Sequence, residues 1–280
     1  MPYFFFKSGY FLNIQNIRVC FYGGIKRLLI PFITFSILGI LLILPTELLI
    51  NNNGGVEALI HPIGGIIKNG SCRENAPLWF LLSLFWGKLL LQGILRIKLL
   101  RFQYAVVLTI ILIGLFFSLN HINLPLGINQ AFVGLFFMFC GNQYKKIKDR
   151  GVVFLFSFCI YFGLTFIFHP TIDIHTNYYG TNWLHAVIVI LSSVSGIVVL
   201  EKLFRRIKFH SCLIAVGRDS MSYYVLHWII LMFISQLFQI CHISLEKSYW
   251  IVCSIMLLII LPLANLYFKK YCPFLLGIKK

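Results

Sequence analysis

Apolar residues run through this chain in long unbroken stretches, and polar residues are confined to the short gaps between them. Eight stretches approach or reach the roughly 20 residues an α-helix needs to cross a hydrocarbon core. They are 28–50, 77–95, 102–119, 127–143, 152–168, 183–200, 219–239 and 248–268. The stretches are continuously apolar and show no period-two alternation, so they predict helices and not the strands of a barrel. Tyr104, Tyr144, Trp183 and Trp250 fall at or near their ends, where amphipathic rings favour the membrane–water interface. No internal repeat or low-complexity tract interrupts the pattern.

Charge follows the same rhythm. Eighteen of the 24 Lys and Arg residues sit in five clusters, at 18–27, 96–101, 145–150, 202–208 and 269–280. The clusters occupy alternate gaps, and the other gaps hold only Lys68, Arg73 and Lys247. Basic loops stay on the cytoplasmic side of a membrane, so the clusters predict an orientation with the C-terminus in the cytoplasm. The net charge of +16 therefore records topology and does not point to nucleic acid.

A 59% hydrophobic chain with 11% charged residues cannot cover itself as a soluble domain. The expected architecture is an all-α, polytopic transmembrane bundle of eight full spans, in a single domain over 1–280. Met1 to Leu12 is also apolar and ends at the first basic cluster. Twelve helical residues reach about 18 Å against a core of about 30 Å. This segment reads as the cytoplasmic half of a further span, so the domain is expected to be N-terminally incomplete.

Candidate chemistry is sparse. Ionisable groups within membrane segments are functional candidates by default. Here they include Lys7, Lys88 and Arg218, each within a few turns of a predicted cytoplasmic end. With Lys26 and Arg27 they would form a cationic pocket suited to a phosphate-rich donor such as coenzyme A. His227 is the one histidine deep in a predicted span. Six of the eight His fall on or near the predicted outer side, among them His169 and His175 in the loop before Trp183. Cys72 and Cys241 also fall there, where they could pair. No metal-ligand spacing, nucleophile elbow, phosphate loop or dinucleotide fingerprint occurs.

Three segments resemble the acyltransferase 3 family of integral-membrane acyltransferases. M-P-Y-F-F-F-K-S-G-Y-F-L followed by G-I-K-R-L-L-I-P-F resembles the family's opening region. P-L-W-F-L-L-S-L-F at 77–85 resembles its second hallmark, and G-R-D-S-M-S-Y-Y-V-L-H at 217–227 its late segment. Their order and spacing fit, and the resemblance covers essentially the whole chain. It implies a complete form of about ten helices in the plasma (inner) membrane. The implied reaction moves an acyl group, usually acetyl from acetyl-CoA, onto a hydroxyl of a cell-surface saccharide or its lipid-linked precursor. Membrane lipids are implied as surroundings, with no metal and no nucleic acid.

The family's catalytic histidine lies near the end of its first helix and would fall upstream of Met1. Of the family's Arg-x-x-Arg pair, Arg27 fits the second position while Gly24 occupies the first. Lys26 offers a point charge without the bidentate geometry of arginine. Activity of the chain as it stands is thus put in question. The catalytic residue is left unassigned, with His227 and Glu74 as candidates. Donor binding falls to Lys26, Arg27, Lys88 and Arg218, and acceptor binding to Trp79, Glu74 and Tyr224. Ser8 and Gly9 are expected to allow close helix packing. Alternatives are a transporter or flippase for a lipid-linked saccharide, or a non-catalytic remnant. Few acidic residues approach the spans, Glu47 among them, which disfavours an ion-coupled transporter.

Overall fold

The computed structural model describes residues 1–49, 55–71, 73–147, 150–205, 207, 211–240 and 249–277. It is helical throughout, with no strand among those residues. In chain order the helices are α1 (Pro2–Tyr10), α2 (Ile17–Gly24), α3 (Ile30–Leu49), α4 (Gly55–Asn69), α5 (Trp79–Ile94) and α6 (Leu100–Leu119). They continue with α7 (Ile128–Tyr144), α8 (Arg150–Phe168), α9 (Trp183–Phe204), α10 (Ser211–Arg218), α11 (Ser220–Ile240) and α12 (Tyr249–Tyr271). A π-helical turn, Ile25–Leu29, joins α2 to α3, and a 3-10 turn, Arg73–Leu78, leads into α5.

Among the described residues, seven helices are long and apolar enough to cross a membrane. The eighth predicted run is α7, whose 17 residues rise about 26 Å. It is buried along most of its length, so its apolar character serves protein packing. The first predicted span is longer than expected: helix runs without a break from Ile17 through the π turn to Leu49, taking the basic residues of 18–27 into the helix. The half span is α1. Short helices α2, α4 and α10 fall where polar gaps were expected. Cys72 and Cys241 lie outside the described residues.

The described chain divides into two compact units. The first comprises Met1–Tyr22 and Ser83–Lys208. At its centre α1 lies parallel to α7, and the approach is close enough to require glycine. A Cβ on Gly9 would meet the Met138 carbonyl oxygen at 1.8 Å, and one on Gly141 would meet that of Phe6 at 2.0 Å. Small residues at helix contacts favour such approach in membranes. Gln92 of α5 holds the turn after α1: its Nε2 donates to Asn13 O at 2.7 Å, and its Oε1 accepts from Gln15 N at 3.2 Å. Helix α8 packs on α9 and exposes Leu155, Phe156, Phe166 and Ile167, as a lipid-facing helix does.

The second unit comprises Gly23–Leu82 and Phe209–Lys280. In it α11 packs against α12, α3 and the Arg73–Leu78 turn. Three helix ends carrying basic residues meet there. Phe35 of α3 packs on Phe268 of α12, with ring centroids 5.8 Å apart. Lys269 of α12 pairs with Asp219 at the start of α11. The left-handed Gly277, φ 68°, brings the C-terminal turn against the backbone of Lys26 and Arg27; a side chain there would strike the Lys26 carbonyl oxygen at 2.5 Å.

Candidate functional site

The second unit brings together two of the three segments singled out in the sequence, Pro77–Phe80 and the start of α11. Residue 77 is a proline on the 3-10 turn, and its carbonyl accepts a hydrogen bond from the Tyr224 hydroxyl. The Tyr224 ring packs edge-on against Phe80, centroids 5.4 Å apart. Trp79, buried, packs edge-on to Phe80 at 6.1 Å. One turn along α11, His227 Nδ1 lies 2.6 Å from the Tyr224 carbonyl oxygen.

That last contact assigns a tautomer. A carbonyl oxygen only accepts, so Nδ1 must carry the proton and donate it. The neutral ring then presents Nε2 as its lone-pair nitrogen. This is the tautomer a general base requires, and it is selected by the backbone of the same helix. His227 is half-buried and its ring lies 5.7 Å from that of Tyr224. The resulting line is Pro77 carbonyl, Tyr224 phenol, Tyr224 carbonyl, His227 imidazole.

Lys26 and Arg27 lie on the π-helical turn, both exposed, at the basic end of this unit. Single π turns inside helices recur at functional sites because they re-aim the side chains they carry. Arg218, also exposed, ends α10 beside Asp219. The Asp219 carboxylate is engaged on its other side by Lys269 and, at 3.3 Å, by the Asn265 amide. The hydrogen bond from Lys269 holds the Asp219 carboxyl below its ordinary range, with Asn265 and the positive charges adding to the effect. Glu74 lies on the Arg73–Leu78 turn; its side chain is outside the described residues.

Lys88 and Lys7 belong to the first unit, and Lys26, Arg27 and Arg218 to the second. Lys88 is half-buried in α5. Lys7 is held in an ion network that sequence reasoning missed. Its Nζ lies 2.7 Å from Glu201 Oε2, and Arg205 lies 3.1 Å from Glu201 Oε1. Tyr3 donates to the same carboxylate at 3.3 Å, and Arg205 also donates to the Tyr10 hydroxyl at 2.9 Å. The Glu201 side chain is only 3% exposed. The predicted span stopped at Leu200, whereas α9 continues to Phe204 and carries Glu201 inward. The available signal was the Glu201–Arg205 spacing, one helical turn, with Lys7 as the unmatched cation.

Neither unit holds a cluster of three His, Cys, Asp or Glu residues able to bind a metal ion, among the described residues.

No curated protein and no solved structure matches the chain. The acyltransferase 3 profile, described as an acyltransferase domain, matches residues 1–268. With that profile covering nearly all of a helical bundle built to span a membrane, the chain belongs to the acyltransferase 3 family.

Proposed function

We propose that the protein transfers an acyl group, acetyl in the simplest case, from acyl-CoA to a hydroxyl of a cell-surface saccharide or its lipid-linked precursor. The observation that supports this most directly is His227, whose Nδ1 is engaged by the Tyr224 carbonyl so that Nε2 is available as a base. In the proposed step, Nε2 removes the proton of the acceptor hydroxyl. The hydroxyl oxygen attacks the thioester carbonyl carbon, the carbon–sulfur bond breaks, and coenzyme A leaves as the thiolate, which receives the proton.

The supporting residues follow from their placement. Lys26 and Arg27 bind the donor's phosphates from the exposed π turn, with Arg218 at the start of the α11 segment as a third cation. Trp79 and Tyr224 line the acceptor side, where Tyr224 also holds the Pro77 turn. Lys88 and Glu74 stand as secondary candidates for donor and acceptor binding. In this reading the basic residues between spans lie on the cytoplasmic side, where acyl-CoA is made, with the C-terminus there and the protein in the plasma membrane.

The test is the ester content of surface polysaccharide in cells that express the chain. Expression should raise O-acetyl content, and His227→Gln, which cannot act as a base, should return it to background. Unchanged O-acetyl content on expression, or full activity in His227→Gln, overturns the assignment.

A further inference from the structure

Helix α4 sits in the chain between two spanning helices, α3 and α5, without being a span itself. Its 15 residues rise about 22 Å, short of a hydrocarbon core of about 30 Å. It packs against α3 and touches the Arg73–Leu78 turn, all within the second unit. The chain leaves the bilayer with α3 and re-enters it with α5, so α4 is held at the membrane face between them.

The side chains of α4 divide it lengthwise into three sectors. At about 100° per residue, Pro62 and Ile66 share one direction. Pro62 is buried and Ile66 half-buried, which marks the side covered by protein. Ile60, Ile63 and Ile67 share a second direction and are 63%, 49% and 57% exposed. His61 and Lys68, both exposed, share a third. The three directions lie roughly 120° apart.

That division suits a helix lying along a membrane surface with protein at its side. One sector meets protein, one meets acyl chains, and one meets headgroups and water. A helix surrounded by water would carry polar residues in the isoleucine sector. The helix that α4 rests on already turns Ile33, Ile37 and Leu41 outward along its span, so lipid surrounds this part of the unit. Lys68 fits the same setting, because its stem can lie along apolar surface while the ammonium reaches a lipid phosphate.

We propose that α4 is an interfacial helix seated in the bilayer surface, with its isoleucines among the acyl chains and Lys68 at the level of the phosphates. The partner of this face is phospholipid. The gap that α4 occupies lacks a basic cluster, which assigns it to the outer leaflet. The proposal rests on the membrane-spanning helices and stands whatever group the protein transfers. It gives the Arg73–Leu78 turn, and with it the Pro77 carbonyl that Tyr224 engages, an anchor at the lipid surface.

The experiment is photocrosslinking on the full chain in nanodiscs of palmitoyl-oleoyl phosphatidylglycerol. The benzophenone amino acid p-benzoylphenylalanine is placed singly at Ile63, Ile67 or His61, and at the exposed Phe166 of α8 as a span reference. Mass spectrometry reads the lipid adduct. Yields at Ile63 and Ile67 should lie within about twofold of that at Phe166 and exceed that at His61 by about fivefold. Yields no higher than at His61 overturn the proposal, as does crosslinking at Ile63 and Ile67 to a second copy or to another segment of the chain. Hydrogen exchange in the same nanodiscs gives a second readout. Ile63→Asn combined with Ile67→Asn should speed exchange of the α4 amides by about tenfold and leave α11 unchanged. Unchanged protection of α4 in that variant also overturns the proposal.

Discussion

His227 and Glu201 illustrate what a single residue discloses in sequence and what it does not. His227 was visible as the lone histidine within a span, but its tautomer depends on one backbone carbonyl, which only coordinates supply. Replacing it by Gln should lower kcat for acyl transfer by about 10²–10⁴-fold with little change in KM for the donor, as loss of a general base does; steady-state kinetics on purified protein checks this. Glu201 was hidden because its helix outruns its apolar stretch. Removing it leaves the part-exposed Lys7 and Arg205 without their shared buried partner, and a hydrogen bond to a charged group is worth about 1.5–3 kcal/mol. Glu201→Ala should therefore fall sharply in melting temperature, whereas Arg205→Ala, which removes the more exposed partner, should lose less.

Asp219 belongs to the same scale. Its carboxyl is held below the ordinary range, chiefly by the Lys269 hydrogen bond. A depressed folded-state value means the stabilisation is fully present above the unfolded pKa of about 3.9. It is lost as pH falls through the folded value. Thermal unfolding in detergent should show this contribution constant from pH 7 to about 4 and declining below, and Asp219→Asn should abolish that part of the decline.

At the scale of elements, the long helices were legible because hydropathy and length suffice to define them. Predicted and observed limits of α6, α8 and α11 differ by only one or two residues. Short helices were not legible. Helix α4 lies in the gap between two predicted spans, yet Ile60, Ile63 and Ile67 form an exposed apolar stripe at helical spacing, too short to register as a span. The π turn at Ile25–Leu29 has no signature in composition at all. Packing was half legible: Gly9 was anticipated as a close contact, but Gly141 on the facing helix was not, because parallel pairing of α1 with α7 cannot be read from either alone. Gly141→Leu forces backbone apart at Phe6 and should destabilise the protein by about 1–3 kcal/mol or more. Gly163→Leu, where an added side chain meets open space, serves as the control.

At the scale of the molecule, the sequence identified the class and the family together, since apolar runs, basic gaps and three ordered motifs all point one way. It did not show which motif residues meet. The Pro77 and Tyr224 segments are far apart in sequence and join through the Tyr224 hydrogen bond and its ring packing on Phe80. The central claim is that this membrane bundle forms oxygen esters from acyl-CoA. Its most direct test is purified protein in proteoliposomes, given acetyl-CoA labelled in the acetyl group and a saccharide acceptor, with product ester analysed by mass spectrometry. The account predicts label in a base-labile sugar ester, dependent on His227. Label retained wholly in acetyl-CoA across acceptors, or released only as acetate at a rate unaffected by His227→Gln, would contradict it.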